Sequence, residues 1–89
     1  MTHQVTLGKM TLTKAAMNVL DKRDMMEAIG RHYVGDWGDL APEDQQVNEE
    51  AVRSGGGLLS AYRDRNGTRF FIITEADRSA TTVLLPEDY

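Results

Sequence analysis

The sequence predicts an α+β fold, with N-terminal helices packed on a C-terminal three-stranded antiparallel meander, in one domain over residues 1–89. Three observations carry this reading. Across residues 13–53 apolar positions recur every three or four residues, the spacing of one helix face. Beyond Gly57 the pattern changes to short runs rich in β-branched and aromatic residues, divided by turn sequences. The chain has 89 residues, enough for a single modest core and not for a second domain.

The elements follow in order. "VTLGKMT", residues 5–11, alternates weakly and reads as a strand or an extended lead-in. Thr13 can cap a short helix, "KAAMNVL", with Ala16, Met17 and Leu20 on one side and an end at Asp21. Asp24 with Glu27 resembles a capping box. From there Met25, Met26, Ile29, Tyr33 and Val34 form a helical apolar stripe up to Gly35, and the two Met residues read as core filling. After "GDWGDLA", Pro42 suits a first helical position, and Glu43 and Asp44 suit the positive end of the helix dipole. This third helix, residues 42–53, stops at "SGGG".

The runs "GLLSAYR", "TRFFIITEA" and "ATTVLL" then give the meander. Asn66-Gly67 predicts a type I′ hairpin turn between the first two. On the central strand Phe70, Ile72 and Thr74 share one face, joined by Val83 and Leu85 if Glu75 lies near Ala80. That face is expected to meet the helices. The other, assigned Tyr62, Phe71 and Ile73, is expected to be covered by the N-terminal segment or left as a binding surface.

Composition excludes several functions. The chain contains no Cys, which removes disulfide frameworks, thiol nucleophiles and zinc ribbons and fits a reducing cytoplasm. It has neither a signal-peptide pattern nor a long apolar span, so no membrane association is expected. The formal net charge of −4 argues against nucleic acid as a direct ligand. The charge is also uneven. Residues 32–52 contain Asp36, Asp39, Glu43, Asp44, Glu49 and Glu50 without one Lys or Arg, while the rest of the chain is net positive.

That segment carries the candidate site. His32, Asp36 and Asp39 are metal-ligand types in proximity, but they lack the register of a calcium loop or a zinc helix. Turn closure around Gly35 and Gly38, with Trp37 as a core anchor, accounts for them as well. "TEADRSATT" offers Glu75, Asp77, Arg78 and Ser79 without the Lys of a nuclease centre or a base beside the Ser, and reads as a turn in which Arg78 pairs with a carboxylate. "SGGGLLS" has a helix before it and a strand after it, the reverse of a phosphate loop. No catalytic residue, metal or other cofactor is therefore expected. The six carboxylates are either a solvated face or a negative surface that steers toward a Lys/Arg-lined groove, and both readings stay open.

The strings "GDWGDL…ED…N", "LLSAY", "IITEADRS" and "TTVLLPEDY", spread over residues 10–89, resemble a family of small proteins carried on phages, plasmids and other mobile elements. Small acidic proteins of that kind resemble anti-CRISPR and anti-restriction proteins. The resemblance implies a non-enzymatic inhibitor, a DNA mimic acting in a bacterial host cytoplasm as a monomer. Its partner would be the basic surface of a host defence complex, in the first place a type I CRISPR surveillance complex of the Cascade type. The implied contact residues are Asp36, Trp37, Asp39, Glu43, Asp44, Glu49 and Glu50, with Trp37 and Tyr33 as desolvated anchors. The alternative is an anti-restriction or toxin-antitoxin-like accessory protein that oligomerises through the second sheet face or the last strand, residues 80–85.

Overall fold

The computed structural model describes residues 4–89. Among them run, in order, β1 (Lys9–Leu12), α1 (Lys14–Val19), α2 (Lys22–Tyr33), α3 (Pro42–Ser54), β2 (Leu58–Arg63), β3 (Arg69–Thr74), β4 (Ala80–Leu84) and a 3-10 turn at Pro86–Asp88. The class is α+β, but the sheet differs from the expected one. Four strands lie in the order β1-β4-β3-β2, and β1 pairs parallel to β4 in register Lys9–Ala80 through Leu12–Val83. The meander is present within a mixed sheet. Its fourth strand comes from the weakly alternating N-terminal segment, because a parallel partner so distant in sequence has no connecting turn to announce it. β4 is consequently an interior strand, which closes the last strand as an oligomerisation edge.

The β3–β4 register pairs Ile72 with Val83 and Thr74 with Thr81, and Glu75 donates its amide to Ala80. Phe70, Ile72, Val83 and Leu85 thus share one face, and they are buried against Ala16 and Leu20 near α1 and Met25 and Ala28 of α2. Tyr62 is the exception to the expected facing. It stands opposite Phe70 in the β2–β3 ladder, so it points to the helix side and is buried there. The other face is only partly covered: Ala61 and Leu84, flanking Phe71, are buried, while Leu59, Phe71, Ile73 and Thr82 are half-buried, with Tyr89 folded edge-on against Phe71 at 5.8 Å. The N-terminal segment does not cover it; Val5 instead joins Trp37, Ala51 and Leu58 in a second core cluster.

Helix α2 begins earlier than Asp24. Asp21 is the N-cap, accepting from the amides of Arg23 and Asp24, while the Asp24 carboxylate is taken by Arg65 in a two-pronged contact at 3.0 Å. A long-range ion pair has displaced a local cap. The buried stripe is likewise rotated from the expected one: Met25, Ala28 and His32 face inward, whereas Met26 is 65% exposed and Tyr33 and Val34 are exposed as well. Met17 of α1 also points to solvent.

Two turns carry the rest of the correction. In "DRNG" only Gly67 has a positive φ, and Gly67 N donates to Asp64 O at 2.9 Å. This is a type I turn followed by a left-handed glycine rather than type I′. The Asp64 carboxylate favours it by accepting from Asn66 and Thr68, and it also takes the amide of Asp21. Arg78, at φ +64, does not seek a carboxylate. Its guanidinium donates to the carbonyls of Gly56 and Ala51 at the end of α3, tying the β3–β4 turn to that helix.

The outer edge of β2 is closed by two devices. Asn48 of α3 donates to Leu59 O at 2.6 Å and accepts from Leu59 N at 3.2 Å, so one amide side chain imitates a strand neighbour. Farther along, Ala61 N donates to Trp37 O and Asp39 N to Ala61 O. Gly38 lies between those two residues with φ +76, and a Cβ there would collide with Ala61 O and the Tyr62 ring. The "GDWGD" sequence is therefore an edge cover as well as a helix stop.

Candidate functional site

The seven candidate residues divide by what they touch. Asp36 accepts from Arg31 Nε at 2.7 Å and Nη2 at 3.2 Å, and from Gly38 N at 3.2 Å. The Arg31 hydrogen bond holds its carboxyl below the usual carboxylate range. Arg31 also lies over the Tyr62 ring at 4.9 Å, and Tyr62 donates its hydroxyl to Asp36 O at 2.7 Å. Burial pushes Tyr62 up to about 12, which keeps that donor protonated. Asp39 pairs with Arg63 at 3.8 Å. Both aspartates thus serve the corner between α2 and α3.

Trp37 is 3% exposed and packs in the core, donating Nε1–H to Glu49 Oε2 at 2.7 Å. It is a core anchor, so it offers no surface for a partner. Glu49 is engaged with it and belongs to the same structural group. Tyr33 does reach solvent. The apparent lack of basic residues is also partly repaired in space, since Arg31, Arg63 and Arg53 approach Asp36, Asp39 and Glu50.

What remains is the outer face of α3. Val47 is 63% exposed there, with Glu43 and Asp44 one turn before it and Glu50 one turn after it. No ion pair reaches Glu43 or Asp44 among the described residues, and the exposed Glu50–Arg53 pair at 3.2 Å contributes little restraint. Val47 forms a ridge between two hollows. One, about 620 Å³, runs along Glu43, Glu50 and Ser54; the other, about 300 Å³, separates α3 from Leu59, Ile73 and Tyr89 on the uncovered sheet face. An apolar ridge rimmed by carboxylates combines short-range desolvation with long-range attraction for cations.

The remaining candidate residues have structural partners of their own. His32 is fully buried and both of its ring nitrogens are used, Nδ1 with Ser60 Oγ and Nε2 with Thr74 Oγ1 at 2.8 Å. Among the described residues no group of three or more His, Asp or Glu side chains is placed to hold a metal ion. Asp77 accepts from Ser79 N at 3.0 Å, closing the turn expected there.

Sequence reasoning missed the buried polar chain that starts at His32. Thr74 Oγ1 meets Thr81 Oγ1 at 2.8 Å, and Thr81 donates to Leu7 O at 2.7 Å. Because Leu7 O can only accept, each proton in the chain is assigned: Thr81 accepts from Thr74, Thr74 accepts from His32 Nε2–H, and His32 Nδ1 accepts from Ser60. His32 is neutral in one tautomer. Burial, with the charge of Arg78 second, pushes its pKa down to about 4. The available signal was the polar pair Ser60 and Thr74 at inward-facing strand positions, opposite a His at helical spacing from Met25 and Ala28.

Fold and surface together define a small α+β protein with α1 and α2 on one face of a mixed sheet and α3 along the β2 edge, where it carries an acidic, apolar-centred ridge. No protein-family model, curated protein or solved structure matches the chain. No helix among the described residues is long and apolar enough to cross a membrane.

Proposed function

We propose that the protein is a non-enzymatic inhibitor that docks the outer face of α3 on a Lys/Arg-lined protein surface and competes there with DNA. The observation that carries this reading is Val47, exposed and rimmed by Glu43, Asp44 and Glu50. Carboxylates at the rim steer a basic surface into register, and the apolar centre gives the desolvated contact that holds it. The partner class comes from the resemblance to small mobile-element proteins: a type I CRISPR surveillance complex, whose DNA-binding groove must be basic to hold phosphates.

The contact set is narrower than the acidic segment. Glu49 and Trp37 support the fold, and Asp36 and Asp39 are paired at the α2–α3 corner. The test is a pull-down of the surveillance complex with wild type and with the triple variant E43K/D44K/E50K, followed by DNA competition. All three substituted side chains are exposed, so the variant keeps its circular dichroism spectrum, although Lys at two first-turn positions of α3 opposes the helix dipole and lowers stability by about 1 to 2 kcal/mol. Binding is expected to fall at least tenfold. Unchanged binding by the folded variant rejects the proposal.

A further inference from the structure

We infer that the hollow between α3 and the uncovered sheet face receives one large apolar side chain carried on a Lys/Arg-flanked segment of a partner protein. This rests on the reading of α3 as a docking face and adds what that face recognises. The hollow measures about 300 Å³, a size suited to one bulky side chain. Its floor is Leu59 and Ile73, directly opposite each other in the β2–β3 ladder, and its walls include Val47 and Tyr89.

The floor leaves a polar ligand little to bind. Asn48 lines the hollow but uses its amide on both backbone groups of Leu59. The remaining side-chain polar groups of the lining are the Asp44 carboxylate and the Tyr89 hydroxyl. A phosphate-bearing ligand would meet like charge at Asp44 and an apolar floor beneath, which opposes it twice. An aromatic or long aliphatic side chain fits the floor, and its cationic neighbours in sequence meet Asp44. Beyond the Val47 ridge the second hollow presents Glu43 and Glu50, so a segment laid across α3 finds carboxylates on both sides of its anchor. A polypeptide strand or helix spans that distance; a small molecule confined to one hollow does not. Charge complementarity thus selects a basic segment, and the hollow selects its apolar residue.

The probe is a fluorescein-labelled Lys/Arg peptide with one central Trp, compared by anisotropy with the same peptide carrying Gly at the centre. Wild type is expected to bind the Trp peptide at least tenfold more tightly than the Gly peptide. V47D, which adds a negative charge at an exposed position and removes the apolar ridge, should erase that preference while still attracting both peptides, and D44K should weaken both. In ¹⁵N-labelled protein the Trp peptide should shift the Leu59 and Ile73 amides. Equal binding of the two peptides, a preference that survives V47D, or shifts that avoid Leu59 and Ile73 each overturns the anchored hollow and leaves the electrostatic docking of α3 standing. Absence of binding by either peptide also overturns it, whereas the docking reading itself is decided by the triple-variant pull-down.

Discussion

His32 is the residue on which the interior turns, and its chemistry makes a pH statement. In the unfolded chain the imidazole titrates near its ordinary value of 6.5; in the folded protein it titrates at about 4. The unfolded state therefore binds the additional proton between those values. Stability is fully present above pH 6.5 and is lost as pH falls toward 4, by roughly 3 kcal/mol if the whole shift is realised. Urea titrations followed by the fluorescence of buried Trp37 read this directly. Wild type should lose stability steadily from pH 7 to pH 4.5, and H32F should lack that slope, although it starts less stable because Ser60 and Thr74 lose their partner. A flat wild-type profile over this window would show that His32 is not held neutral by the fold. The carboxyls of Asp24 and Asp36, held down by hydrogen bonds from Arg65 and Arg31, act with the same sign at lower pH: their stabilisation is present above the ordinary carboxylate value and disappears in stronger acid.

At the scale of elements, α3 has two jobs on opposite sides. Inward, Asn48 closes the edge of β2; outward, Val47 and its carboxylates face solvent. N48A should cost about 2 to 3 kcal/mol, since it leaves Leu59 N–H and C=O without their partner at a covered edge. N48D should cost at least as much, because a carboxylate can accept from Leu59 N but repels Leu59 O. Chemical denaturation of the pair checks this, and a neutral N48A would mean that water replaces the amide freely. The elements were largely legible in sequence where their signals are local. Pro42 and the glycines after Ser54 bounded α3, and the three C-terminal runs became β2, β3 and β4 with the inferred β3–β4 register. Signals that depend on distant partners were not. Asp24 looked like a cap until Arg65 claimed it, Tyr62 was assigned to the wrong face for want of the β2–β3 register, and β1 showed only weak alternation because it is a short edge strand. The acidic segment was visible as composition, but its division into fold-bearing Glu49 and outward Glu43, Asp44 and Glu50 required the position of Trp37.

Over the whole molecule, the N-terminal segment closes the structure and the charges are distributed for different ends. Thr81 donates to Leu7 O, Lys9 N to Ser79 O, and Val5 N to Tyr33 O, so the segment before α1 binds the last strand and the end of α2. These contacts and the two cores hold the fold by burial and hydrogen bonding. Among the described residues the ion pairs lie at the surface: Arg31–Asp36, Arg53–Glu50, Arg63–Asp39 and those of Arg65 with Asp21 and Asp24 all include substantially solvated side chains. Pairs of this kind contribute about 0 to 1 kcal/mol each and are screened by salt. Raising NaCl from 0.1 M to 1 M shortens the screening length from about 10 Å to about 3 Å. Folding and partner association should therefore respond differently. The urea-derived stability should change by no more than about 1 kcal/mol, as expected when charge is peripheral to the fold. Association of the α3 face with a basic partner should weaken at least tenfold over the same interval, chiefly through a slower association rate as steering is lost. Stopped-flow and equilibrium binding at matched salt concentrations separate the two. An association rate that ignores salt would assign the carboxylates around Val47 to solvation and leave the apolar ridge alone to hold the partner.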